Sequence, residues 1–302
     1  MANRQRQLLD EETLALLDGR DLNIRGLLEG WFGGNRRSAH HGSSMEFDDY
    51  RAYLPGDDPR RIDWNLYGRT DELYLRLFTD ERRQHHRFYI DLSASMAWGE
   101  PEKRRTALEL VAALSYLAVG ASDRVSWYAL EGEECRRVCE AVSGREDLFL
   151  SLETLASLEC RGDTRMDESV PRCPDPGFHD GVSFLISDFL TDAPWKGAVD
   201  WLLGKKREVC LIRVLSRDEI APELTGKVQL TDAEAVGEDD PRNRRMEIGR
   251  ARLAAYAKAY AWLEEDIRSF AVSRGVRAVT VPSDKPVGRI LFDEAIKGEI
   301  MR

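Results

Sequence analysis

Five oxygen-bearing side chains in this sequence could act together: Asp91, Ser93, Ser95, Thr164 and Asp188. Three of them close the stretch Phe88-Tyr89-Ile90-Asp91-Leu92-Ser93-Ala94-Ser95-Met96, where an apolar run ends in an acid followed by hydroxyls at alternate positions. Thr164 ends Arg161-Gly162-Asp163-Thr164, and Asp188 follows the apolar run Gly181 to Ile186. Carboxylates and hydroxyls are hard donors. They suit Mg2+, which takes octahedral oxygen coordination, retains waters and needs few protein carboxylates; Mn2+ or Ca2+ would accept the same set. Neutral hydroxyl ligands leave the ion with residual positive charge, so a carboxylate from another protein could complete the shell. The competing account is loop capping, because Asp and Ser bond backbone amides at turns. Asp163 reads as a polar loop residue and Asp192 as a helix N-cap rather than a sixth ligand.

These side chains need elements to bring them together. Short apolar runs read as buried strands, so Asp91 and Asp188 fall where strands break into loops. From Arg87 onward strands and helices alternate, which implies a mostly parallel sheet with helices on both faces, and ligands bind at the carboxyl ends of such strands. After the first strand, Pro101 opens and Gly120 closes a mostly buried helix. Val125 to Leu130 and Arg136 to Cys139 form a strand pair turning at Glu131-Gly132. Ser143 with Glu146 predicts a capping box for a helix bearing Leu148, Leu152, Leu155 and Leu158. Glu208 to Leu215 is a further strand. Residues 216–248 read as an edge hairpin insertion with arms at Val228-Leu230 and Arg245-Ile248. A long helix, Arg250 to Ser273, carries Leu253, Tyr256, Tyr260, Leu263, Ile267 and Phe270 near helical spacing and stops at Gly275. Upstream, residues 1–83 form an N-terminal extension. It comprises short helices between Leu8 and Leu28 broken near Gly19, a basic loop from Gly30 to Ser44, a turn-rich segment from Tyr50 to Trp64, and an edge strand from Leu73 to Phe78. The remainder, residues 84–302, is the α/β domain.

With 302 residues, 42% of them hydrophobic, the chain can bury one large core or two smaller ones. A net charge of -10 argues against general nucleic-acid binding, although Arg82, Arg83, His85, His86 and Arg87 make a short basic run. No signal peptide or integral membrane segment is visible, which points to the cytoplasm, and five cysteines without a secretory signal favour free thiols. No second pair or histidine at zinc spacing joins Cys135 and Cys139.

Asp-Leu-Ser-Ala-Ser, the later Gly-Asp-Thr and the later Ser-Asp resemble the metal-ion-dependent adhesion site of von Willebrand factor A domains. The resemblance implies Ser93, Ser95 and Thr164 as hydroxyl ligands, with Asp91 and Asp188 binding directly or through water. Upstream, Arg51-Ala52-Tyr53-Leu54-Pro55-Gly56-Asp57-Asp58-Pro59-Arg60-Arg61-Ile62-Asp63-Trp64, with Gly68-Arg69-Thr70 beyond it, is similar to a bacterial family of A-domain-like proteins known as domain of unknown function fifty-eight. The resemblance implies a von Willebrand factor A-like α/β fold, and because members are commonly encoded beside MoxR-type AAA+ ATPases it implies a non-enzymatic adaptor or co-chaperone role. Some members carry membrane helices.

The rival function is a metal-dependent phosphohydrolase with Asp91 as nucleophile. Such chemistry needs an activated carboxylate with a partnered acid or base. Here the residue two after Asp91 is Ser93, the histidines (His40, His41, His85, His86, His179) lie outside the ligand loops, and no Gly-rich phosphate loop appears.

Overall fold

The protein was analysed as a computed structural model that describes residues 8–18, 46–54, 59, 62–79, 83–175, 181–235, 240–241 and 243–291. The chain divides into two compact units, one formed by Met1–Gly34 and Gln84–Arg302, the other by Asn35–Arg83.

The larger unit is built on a six-stranded sheet of β3 (His85–Asp91), β4 (Arg124–Glu131), β5 (Glu134–Val142), β6 (Val182–Ser187), β7 (Glu208–Leu215) and β10 (Arg277–Pro282). Its order is β10-β7-β6-β3-β4-β5, with every pairing parallel except the terminal β4–β5 hairpin. β3 and β6 are buried along almost their whole length, as strands covered on both faces must be. Above one face lie α3 (Lys103–Gly120) and α4 (Arg145–Ala156), whose Ala112, Leu114, Leu148 and Leu155 pack with Phe88, Ile90 and Phe184. On the other face Met166 and Val170 of α5 (Met166–Arg172) and Val199 and Leu202 of α6 (Lys196–Gly204) pack with Tyr89, Leu185 and Leu211. α1 (Glu11–Asp18) joins the first layer through Leu17, and Tyr116 donates to Asp18 Oδ1 at 2.8 Å. From β3 the chain moves to β4 on one side and returns to β6 on the other. The strand order therefore reverses between β3 and β6, and in open α/β sheets ligands bind beyond the carboxyl ends of the strands at such a point.

The insertion forms a separate antiparallel hairpin, β8 (Gly226–Leu230) and β9 (Arg244–Ile248), preceded by the short α7 (Arg217–Ile220). α8 (Arg250–Arg274) ends on left-handed Gly275, as expected, but only Ile267 and Ala271 are buried. Leu253, Tyr256 and Tyr260 lie on the stretch of α8 beside the insertion, and Tyr256 is among the exposed apolar residues.

Three local expectations fail. The predicted Ser143/Glu146 capping box does not form, because α4 starts at Arg145 with extended Gly144 in the cap position. Ser216 and Glu219 make a reciprocal box on α7 instead. Asp192 does not cap α6, whose cap position is Trp195. The first turn of α6 is capped from outside, by Asp167 Oδ1 accepting from Ala198 N at 2.7 Å. Gly197 allows this approach, since a Cβ there would stand 2.8 Å from Asp167 Oδ2. Finally, the thiols are not all free. Cys135 on β5 and Cys173 after α5 are disulfide-bonded with Cα atoms 4.9 Å apart, while Cys139, Cys160 and Cys210 stay reduced. A separation of 38 residues gives no local sign of that pairing.

In the smaller unit β1 (Glu46–Ala52) pairs antiparallel with β2 (Tyr74–Thr79). Asp63, 3% exposed, organises the connection. It accepts from Asn65 N at 2.9 Å and Leu66 N at 3.1 Å to cap α2 (Trp64–Thr70), and from the Tyr50 hydroxyl at 2.9 Å. The strand expected over 73–78 is β2. Pro55 to Asp58, Arg60, Arg61 and the basic loop 30–44 lie outside the described residues.

Candidate metal site

Asp91 ends β3 at the point where the strand order reverses, and it is 2% exposed. Its Oδ1 accepts from Ser93 N at 2.9 Å, which folds the chain into the tight turn that presents Ser93. Ser93 and Ser95 follow, their Oγ atoms 3.0 Å apart, with Ser95 inside a single 3-10 turn, Ala94–Ala97. Two backbone bonds lace this loop to the one that carries Thr164: Ala94 N to Gly162 O at 2.9 Å and Arg161 N to Leu92 O at 2.6 Å. Thr164 then donates to Asp91 Oδ2 at 3.2 Å. The sheet thus brings Asp91, Ser93, Ser95 and Thr164 into one cluster.

Asp188, 1% exposed, is also at this end of the sheet, one residue past β6, but its carboxylate is engaged differently. Oδ2 accepts from Lys103 Nζ at 2.6 Å and Oδ1 from Leu190 N at 2.9 Å, and Arg213 Nε donates to its backbone oxygen at 3.1 Å. Lys103 is wholly buried in the first turn of α3 and also pairs with Glu219 of α7. The next residue, Phe189, is held at φ 53 with its ring buried against Trp195. A bulky side chain in the left-handed region costs on the order of 1 kcal/mol or more and marks a turn fixed by its surroundings.

Three participants were not foreseen. Ser187 donates to Asp91 Oδ2 at 2.6 Å and accepts from Phe189 N at 3.0 Å. Lys103 of α3 holds Asp188. Glu234, from the turn of the insertion, places Oε1 3.4 Å from Thr164 Oγ1. Ser187 could have been suspected from Ser187-Asp188 at a strand end, whereas nothing in the local sequence marks Lys103 or Glu234.

The electrostatics of the two aspartates differ. Burial, aided by the Asp188 carboxylate and opposed by bonds from Ser187 and Ser93, pushes Asp91 up to about 6. Among the described residues Asp91 accepts from the Ser93 N–H and from the hydroxyls of Ser93, Thr164 and Ser187, and no cation pairs with it. Burial and the Asp163, Asp91 and Asp188 carboxylates push Glu234 up to about 7. Among the described residues no three His, Cys, Asp or Glu side chains form a metal-ligating group. The cluster combines carboxylate with hydroxyl oxygen, a set that fits a hard divalent cation, and Asp91, Ser93, Ser95 and Thr164 are the residues placed to hold one.

The larger unit is therefore an α/β domain with a cluster of oxygen-bearing side chains at the switch point of a mostly parallel sheet. It belongs to the family described as Protein of unknown function DUF58, whose model matches residues 49–261. An uncharacterized protein of Mycobacterium tuberculosis (strain ATCC 25618 / H37Rv) is 29% identical over 238 residues, covering 75% of this chain and 72% of the relative. Among solved structures, the chain is similar to an aerotolerance-related membrane protein from Bacteroides fragilis NCTC 9343, at 14% identity and TM-score 0.41, over 71% of this chain and 99% of that one. It is also similar to the SpRpn10 VWA domain, at 10% identity and TM-score 0.39, over 70% and 95%. Among the described residues no helix is long and apolar enough to cross a membrane.

Proposed function

We propose that this chain is a non-enzymatic protein-interaction module that docks an acidic side chain of a partner on Mg2+, with Mn2+ or Ca2+ as substitutes. Asp91, Ser93, Ser95 and Thr164 hold the ion, and Asp188 supports it directly or through water. The observation that carries this reading is the Asp91 carboxylate, buried and bonded, among the described residues, only to neutral donors. A buried charge without a counter-ion is unfavourable, and a divalent cation beside Asp91 would relieve it. Lys103 pairs with Asp188 and the hydroxyl ligands carry no charge, so the ion retains attraction for a further carboxylate. On family grounds the partner is a MoxR-type AAA+ ATPase or its client, with this chain as adaptor or co-chaperone.

Against hydrolysis with Asp91 as nucleophile, the side chains bonded to Asp91 among the described residues are the hydroxyls of Ser93, Thr164 and Ser187, while His85 and His86 begin β3, at its far end. Affinity purification on the full chain, with and without chelator, separates the two. Recovery of an AAA+ ATPase that is lost with EDTA and restored by Mg2+ is expected. Capture that ignores both chelation and the Ser93→Ala/Ser95→Ala double substitution would remove the metal as docking point. Turnover of a phosphate ester that vanishes in Asp91→Asn would establish the enzyme instead.

A further inference from the structure

We infer that Glu234 is the chain's own acidic ligand for this site, standing where a partner's carboxylate would bind. This deepens the metal reading and rests on it. Glu234 comes from the turn joining β8 to β9, far from Thr164 in sequence, yet its Oε1 lies 3.4 Å from Thr164 Oγ1, the same hydroxyl that donates to Asp91. The described ends of this connection are hydrogen-bonded. Asp232 Oδ1 accepts from Glu234 N at 2.8 Å, Asp232 O accepts from Ala235 N at 3.1 Å, and Asp232 N donates to Asn243 Oδ1 at 3.0 Å, just ahead of β9.

Position supports the assignment. Asp91, Ser93, Thr164 and Asp188 are all buried, whereas Ser95 and Glu234 are half-buried, so Glu234 stands on the side of the cluster that reaches solvent. Oxygen atoms of Asp91, Thr164 and Glu234 thus follow one another from the buried end of the cluster towards solvent. A carboxylate tethered by a hairpin meets the ion at high effective concentration, so an external acid must displace it. The insertion thus closes the site against weak acidic ligands and opens it only to a partner that competes successfully for the ion.

Mn2+ serves as the probe, with the full chain. Its affinity is read from the spectrum of free Mn2+, and its inner-sphere waters from water-proton relaxation. In Glu234→Gln, Mn2+ binding should weaken about tenfold on losing one charged oxygen ligand. Relaxation enhancement per bound ion should rise as water takes the vacated position, and millimolar acetate should quench it in the variant but not in the unsubstituted chain. Glu234→Ala should behave alike, with unchanged circular dichroism in both. If both variants match the parent in affinity and enhancement, Glu234 is not a ligand, although the metal reading stands. If the unsubstituted chain binds no Mn2+, both fall.

Discussion

Two aspartates of the same type end two adjacent strands and meet opposite environments. Asp188 has the Lys103 ammonium at 2.6 Å; among the described residues Asp91 has only hydroxyls and an amide. The sign of the effect on stability follows. An acid whose folded value is raised, here to about 6, stabilises the fold below its unfolded value of roughly 4 and loses that contribution as pH rises through 6. At pH 7 in EDTA, ionised Asp91 is therefore a burden. Asp91→Asn keeps the shape and removes the charge. It should raise unfolding free energy by on the order of 1–3 kcal/mol, measured by urea titration. Destabilisation of similar size would mean that the ionised carboxylate is needed by the loops themselves, as capping alone would require.

At the scale of elements, the strands carry the site at one end and are tied together at the other. Asp175, after α5, accepts from Tyr89 at 2.8 Å and pairs with Arg87 at 3.2 Å and with Arg207, just ahead of β7. Burial works against its ionisation, but Arg207, Arg87 and Tyr89 outweigh it and hold Asp175 down at about 2. A depressed value contributes stability above the unfolded value of roughly 4 and loses it as pH falls through 2. Asp175→Asn should lower stability by about 3–5 kcal/mol at pH 7, by leaving two buried guanidinium groups without their carboxylate. It should also flatten the loss the parent shows between pH 4 and 2; equal slopes in that window would contradict this account. Much of the frame was legible in the sequence. The apolar runs ending at Asp91 and Asp188 gave both central strands, and Glu208 to Leu215 matches β7 residue for residue. Asp91, Ser93, Ser95 and Thr164 were legible because short turns fix them next to strand ends. What escaped depends on long-range contact. Lys103 meets Asp188 across 85 residues, Glu234 meets Thr164 across 70, and Cys135 meets Cys173 across 38. The caps of α4 and α6 escaped because Gly144 and the distant Asp167 took roles that nearer Ser143 and Asp192 were expected to fill.

At the scale of the molecule, the family match from 49 to 261 runs through both compact units. The smaller unit shows Trp64 at 62% and Leu54 at 59% exposure within the segment that carried the family resemblance. The Cys135–Cys173 bond bears on the cytoplasmic expectation, because such bonds persist mainly in oxidising compartments. It fixes α5, the helix that follows Thr164, to the edge strand β5. The fold thus braces a ligand loop from behind while the insertion reaches it from the open side. All of this has a purpose only if the oxygen cluster binds a cation. Calorimetric titration of Mg2+ into the full chain at pH 7.5 tests that most directly. One ion per chain should bind, with binding abolished in Ser93→Ala/Ser95→Ala; no heat from the unsubstituted chain, or equal binding by the double variant, would contradict the account.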